Sequence, residues 1–177
     1  MQTTLGRITL LALLTSSVGL LGCGSTAPAV GHRTAGLKHA VNADTAYRLG
    51  RFGVAAQRYR QALVHLRAAD DVPAVARALH NYGMAIKADG RCAEAIRYLQ
   101  ESAALHSSLQ RSQEQALNLL AVGECQHDLG QPEDAVTTMG QARKWALDAK
   151  DKALAARAVA GIGAALASSG RTALAKQ

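Results

Sequence analysis

The sequence predicts an all-α protein, an α-solenoid of stacked antiparallel helix hairpins, and three periodic features carry that prediction. Glycines recur every 40 residues, at Gly50, Gly90, Gly130 and Gly170. Five residues after each stands an alanine (Ala55, Ala95, Ala135, Ala175), and seven before each a small residue (Ala43, Gly83, Gly123, Gly163). A fixed period of this kind marks supersecondary units that bury their apolar faces only by stacking on their neighbours.

The array is preceded by a leader. Met1 to Arg7 is short and weakly basic, and Ile8 to Leu21 is apolar except for Thr9, Thr15, Ser16, Ser17 and Gly19. This run is shorter than the roughly 20 apolar residues that span a bilayer, so it reads as a secretory signal over residues 1–22 rather than a membrane helix. The Leu20-Leu21-Gly22-Cys23 segment resembles the bacterial lipoprotein cleavage box, with Leu21 where a small residue is more usual. That resemblance implies diacylglycerol on the Cys23 thiol, cleavage after Gly22, and a lipidated mature N-terminus. Gly24 and Ser25 lack the aspartate associated with inner-membrane retention in enteric bacteria, which points to the outer membrane, facing the periplasm.

Residues 23–36, small and flexible with Pro28, show no apolar period and are expected to form the lipidated end and a tether. Residues 37–177 then hold about three and a half repeats. In the first unit the second helix is the clearer, with Phe52, Ala55, Tyr59, Ala62 and Leu63 at helical spacing after Gly50. The second unit reads as helix, turn, helix: Leu79, Tyr82, Gly83 and Ile86 precede Gly90, and Ala95, Leu99 and Ser102 follow it. The third repeats this with Leu119, Val122 and Gly123, then Ala135, Met139 and Ala142. Pro132, followed by Glu133 and Asp134, suits a first helical turn. In the fourth, Val159, Ile162, Gly163 and Leu166 mark an inner helix, but seven residues after Gly170 leave no room for an outer one. Anchor glycines are expected to take positive φ at the turns, and mid-helix ones to admit a neighbouring helix at close range. Trp145 is expected to pack the third outer helix against the fourth unit.

These positions resemble the tetratricopeptide repeat (TPR) family, whose large-x-x-large-Gly, Gly-x-aromatic-x-x-Ala and aromatic-x-x-Ala pattern is met by Leu79, Tyr82, Gly83, Gly90, Ala95, Leu99 and Ser102, and by Gly50, Phe52, Ala55, Tyr59 and Ala62. The 40-residue period is similar to the family's longer-helix variety. Pro132 and Thr172 stand where an aromatic is usual. The resemblance implies a TPR-like superhelix that binds along the surface lined by its inner helices, and its register places Tyr47, Arg48, Arg77, His80, Met84, Lys87, Glu124, His127 and Asp128 there. The carboxylate clamp of some eukaryotic relatives is not expected: Asn81 matches one of its positions, but Ala40, Asp44, Leu117 and Ala121 occupy others.

The formal charge of +7 falls to +6 once Arg7 is removed with the leader. The excess lies between Leu37 and His106, where ten Lys/Arg face six Asp/Glu. With six aromatic residues in the chain, base stacking has little support and no nucleic-acid partner is expected. Cys92 and Cys125 could bridge in an oxidising compartment or stay as buried thiols, and spacing leaves both open. Glu124, His127 and Asp128 share one helical face, but no second cluster completes a metal site. Neither a His-Glu-x-x-His, a Gly-x-Ser-x-Gly nor a phosphate loop is present, so neither catalysis nor a cofactor is expected beyond covalent lipid on Cys23. The expected role is that of an envelope adaptor or scaffold that binds proteins or peptide segments and self-associates through its incomplete fourth repeat. The alternative is a receptor for an anionic small ligand or glycan.

Overall fold

The structure, a computed structural model, describes the backbone of residues 26–175 and the side chains of residues 28–170. The segment read as a secretory signal, and Cys23, lie outside the described residues. Seven helices follow one another: α1 (Thr26–Arg48), α2 (Phe52–Ala68), α3 (Val72–Ala88), α4 (Cys92–Ser108), α5 (Ser112–Asp128), α6 (Pro132–Asp148) and α7 (Lys152–Ala175). Each packs chiefly on the next, and α5 also meets α3 and α7. The odd-numbered helices thus form an inner layer and α2, α4 and α6 an outer one. The expected solenoid of antiparallel hairpins is the fold observed.

Its true step is one helix. Positive φ occurs at Gly50, Gly90 and Gly130 as expected, and also at Asp70, Gln110 and Lys150, so the chain turns every 20 residues. Every turn carries the same pair of bonds. Gly50 N–H donates to Tyr47 O at 2.9 Å and Arg51 N–H to Ala46 O at 2.9 Å, and the pattern recurs through Asp151 N–H to Ala146 O at 2.8 Å. This is the Schellman closure, which satisfies carbonyls that a helix end leaves unpaired. Asp71 and Asp151 then cap the following helices, accepting from Ala74 N–H (3.1 Å) and Leu154 N–H (2.9 Å).

The core is built from small residues under large ones. Ala55, Ala95 and Ala135 are fully buried. A Cβ on Gly83 would lie 2.7 Å from Leu99 Cγ, and one on Gly123 2.5 Å from Met139 Cγ. The paired helices therefore approach more closely than alanine would allow. Ser102, also fully buried, donates to Ala76 O at 2.8 Å across the same kind of contact. Trp145, partly buried, packs against the cluster that joins α5 and α6 to Leu154, Ala155 and Ala158 of α7.

Three expectations change. Residues 26–36, read as tether, belong to α1, where Gly36 packs on α2: a Cβ there would sit 2.7 Å from Leu66 Cγ. Gly170 does not turn the chain, because α7 runs through it to Ala175. Gly163 occupies the register of Gly83 and Gly123, yet nothing lies within 4 Å of its Cβ direction, since no described helix packs on that side. That face of α7 is open, with Val159 50% and Leu166 56% exposed. Lys152–Gly170 is long and apolar enough to cross a membrane by length and composition, but here Leu154, Ala155, Ala158 and Ala165 pack it into the solenoid.

Cys92 and Cys125 are free, buried thiols. Cys92 Sγ lies 3.8 Å from Asp128 Oδ2. Burial, and then the hydrogen bond with Cys92, push the Cys125 thiol far above its ordinary pKa.

Candidate functional site

Whereas α5 packs on both of its inner neighbours, α1 stands further from α3 and meets it mainly through α2 and through the Arg33–Asp71 ion pair (2.6 Å) at the cap of α3. The gap is a slot along the two helix axes. One half, about 420 Å³, has an apolar floor and wall of Leu37, Ala40, Val41, Leu66, Ala74 and Ala78, with Asp44, Arg77 and Asn81 at its edge. The other, about 410 Å³, is lined by Asp44, Tyr47, Arg48, Tyr59, His80, Asn81 and Met84. A side pocket of about 120 Å³ opens between α3 and α5, lined by Arg77, His80, Asn81, His106, Glu114 and Leu117. Asn81 lines all three cavities.

The slot's polar groups are held by partners on α1, α2 and α5. Tyr59, at the register of Leu99 and Met139, lines the slot and its hydroxyl donates to Asp44. Burial first, and then the Asp44 carboxylate, raise this phenol well above the ordinary tyrosine range, so it remains a donor. Tyr47 stands edge-on to Phe52, ring centroids 5.2 Å apart. His80 Nδ1 lies 3.0 Å from Asn118 Oδ1, and Asn118 Nδ2 donates to Glu114 O at 2.7 Å. Because the Asn118 oxygen faces His80, Nδ1 carries the ring proton and Nε2 is left as an acceptor.

His106 rises from α4 to the side pocket, 1% exposed, and its Nδ1 has no hydrogen-bond partner. Burial lowers the pKa of both His80 and His106, which keeps the rings neutral. The folded state therefore binds fewer protons than the unfolded chain below pH 6.5, the ordinary histidine value. This contribution to stability is complete above that pH and is lost as pH falls through it. The melting temperature should drop between pH 7 and pH 5, and His106→Gln should flatten that drop. Asp71 and Asp151 have lowered carboxyl pKa values, chiefly from Arg33 and from the Leu154 N–H respectively. Their contribution disappears only below pH 3.8, outside this window.

Of the nine residues that the sequence places on the inner surface, Tyr47, Arg48, Arg77, His80 and Met84 line the cavities. The other four stand further along and are engaged. Lys87 pairs with Glu124, which also lies 3.7 Å from Arg157 Nη2, and this chain of charges closes the surface between α3, α5 and α7. His127 Nε2 lies 2.9 Å from Ser168 Oγ, and the Asp128 carboxylate faces Cys92 at the end of α5. Asp44, Tyr59, Asn81, His106 and Glu114 were not expected as site residues. Two of them carried a signal: Asn81 matches one carboxylate-clamp position, and Tyr59 is the one polar-tipped residue at an outer-helix position otherwise filled by Leu99 and Met139. Among the described residues no group of three or more His, Cys, Asp or Glu side chains converges as metal ligands would.

No protein-family model matches this sequence, and no curated protein matches it. Solved structures do. The apo form of RapI superposes with a TM-score of 0.66 at 11% identity, over 85% of this chain and 53% of that one. A putative kinesin light chain from Podosopora anserina, described as having nearly identical TPR-like repeats, gives 0.59 at 17% identity over 80% and 71%, and a single-substitution form of that same protein gives the same TM-score over 80% and 70%. This chain spans about half the length of RapI. Its fold is that of a TPR-like helical solenoid.

Proposed function

We propose that this chain is a lipid-anchored interaction module of the bacterial cell envelope, and that the slot between α1 and α3 holds an extended segment of a partner protein. The slot itself carries the reading. It is a groove with an apolar half for a side chain and a polar half for backbone and charged groups, and Asn81 stands where the two meet. An asparagine amide offers both donors and acceptors, as a peptide backbone requires. Mixed charge and the adaptable Met84 suit a peptide better than a rigid small molecule. The secretory leader and Cys23 support the envelope and membrane part of the proposal, with the outer membrane as its site. The hydroxyl–carboxylate pair in the slot, Tyr59 with Asp44, holds a phenol that stays protonated, which supports a binding rather than a catalytic role.

A photoreactive residue replacing Met84 should capture an envelope protein, and one replacing outward-facing Arg143 should not. Capture from Arg143 alone, or from neither, would remove the adaptor reading. A probe replacing Val159 extends the test to self-association through the open face of α7, where a crosslinked second copy is the expected product.

Arg48 and Arg77 form no ion pair among the described residues, which favours an anionic ligand or glycan as the second reading. Such binding would need no protein partner and would fall away in moderate salt.

A further inference from the structure

The side pocket between α3 and α5 is built differently from the slot that it adjoins. Arg77 and Glu114 carry opposite charges into one cavity of about 120 Å³, and they form no ion pair with each other or with any other described side chain. The floor is His106, almost fully buried, with an unpartnered Nδ1. Asn81 and His80 connect the pocket to the slot. Of these groups only the His106 nitrogen is buried, Arg77 being exposed and Glu114 half-buried. A buried polar atom without a partner is costly, so the nitrogen calls for a polar group and the two charges at the rim select its kind.

A carboxylate entering the pocket would satisfy Arg77 but bring its charge against Glu114. A lysine or arginine would do the reverse. An aliphatic side chain would leave the His106 nitrogen unpaired and displace water from Arg77 and Glu114 without replacing its hydrogen bonds. A carboxamide satisfies each of them: its oxygen accepts from the Arg77 guanidinium, its N–H₂ donates to the Glu114 carboxylate, and it retains one donor and one acceptor site for His106 in either tautomer. It is also neutral, as is the pocket with one charge of each sign and uncharged histidine rings.

We propose that this pocket reads an asparagine or glutamine side chain of the segment lying in the slot, and so sets the sequence preference of the interaction. The inference rests on the slot being a peptide groove, and its test separates the two.

A displayed library of random dodecapeptides is selected on the full chain, on Glu114→Arg and on Glu114→Gln, and slot binders are defined as those lost on Met84→Arg. With the natural chain, slot binders should concentrate glutamine or asparagine at one position, and replacing that residue by glutamate should weaken binding by about tenfold or more. Glu114→Arg should switch the enriched residue to aspartate or glutamate. Glu114→Gln, the milder change, should abolish discrimination between glutamine and glutamate. Slot binders without carboxamide enrichment, or with the same enrichment in Glu114→Arg, would overturn the pocket assignment while leaving the groove intact. A library that yields no binder sensitive to Met84→Arg would overturn the groove reading, and this inference with it.

Discussion

Gly83→Val should destabilise the solenoid by about 3 kcal/mol, at the upper end of what overpacking a core costs. A Cβ at this position would lie 2.7 Å from Leu99 Cγ and 2.8 Å from its Cδ2. Leu99 is fully buried and cannot swing away, so α3 and α4 must separate. The better helix propensity of valine returns only a few tenths of a kcal/mol. For a domain of this size the melting temperature should fall by roughly 6–12 °C. Leu99→Ala alone should cost about 2–5 kcal/mol, yet in the double variant valine fills part of the space so vacated. The combined loss should therefore fall short of the sum by at least about 1 kcal/mol. Gly163→Val is the internal control: it shares the register but meets nothing within 4 Å, so its effect should be near zero. Equal losses at Gly83 and Gly163, or additive losses in the double variant, would mean that close helix approach is not what these glycines serve.

Cys23→Ser should move the chain from the membrane fraction to the soluble one, or leave it as uncleaved precursor. A single acyl chain binds a bilayer with only about 10⁴ M⁻¹, and each further buried CH₂ adds about 0.8 kcal/mol, so a diacylglycerol thioether makes detachment negligible. Serine cannot form that thioether. Fractionation with mass measurement of the N-terminal peptide checks this. A processed, membrane-bound Cys23→Ser chain would eliminate the lipoprotein assignment and transfer attention to the apolar face of α7.

How far the sequence could be read depended on whether a structural demand required a particular residue type. Turns at Gly50, Gly90 and Gly130 were visible because glycine adopts positive φ without strain. Those at Asp70, Gln110 and Lys150 were hidden, since the same Schellman bonds impose that conformation on ordinary residues. Gly163 shows the converse, that a residue in register acts as a packing site only where another helix meets it, and Gly170, inside α7, makes no turn. Gly36 was read as flexible when it serves close packing against Leu66, a distinction that local composition does not carry. At the site, helical register identified side chains facing the inner layer. It could not show that Lys87 and Glu124 neutralise each other, or that Tyr59 and His106 reach the cavities from outer helices. Those are tertiary facts, set by how each helix is stacked on its neighbours.

The slot as the place of binding is tested most directly by amide hydrogen exchange on the full chain, alone and with its captured partner. Slowed exchange should concentrate in α1 and α3 around Asp44 and Asn81, while α2, α4 and α6 change little on their outward faces. Protection confined to those outer helices, with α1 and α3 unaffected, would contradict it.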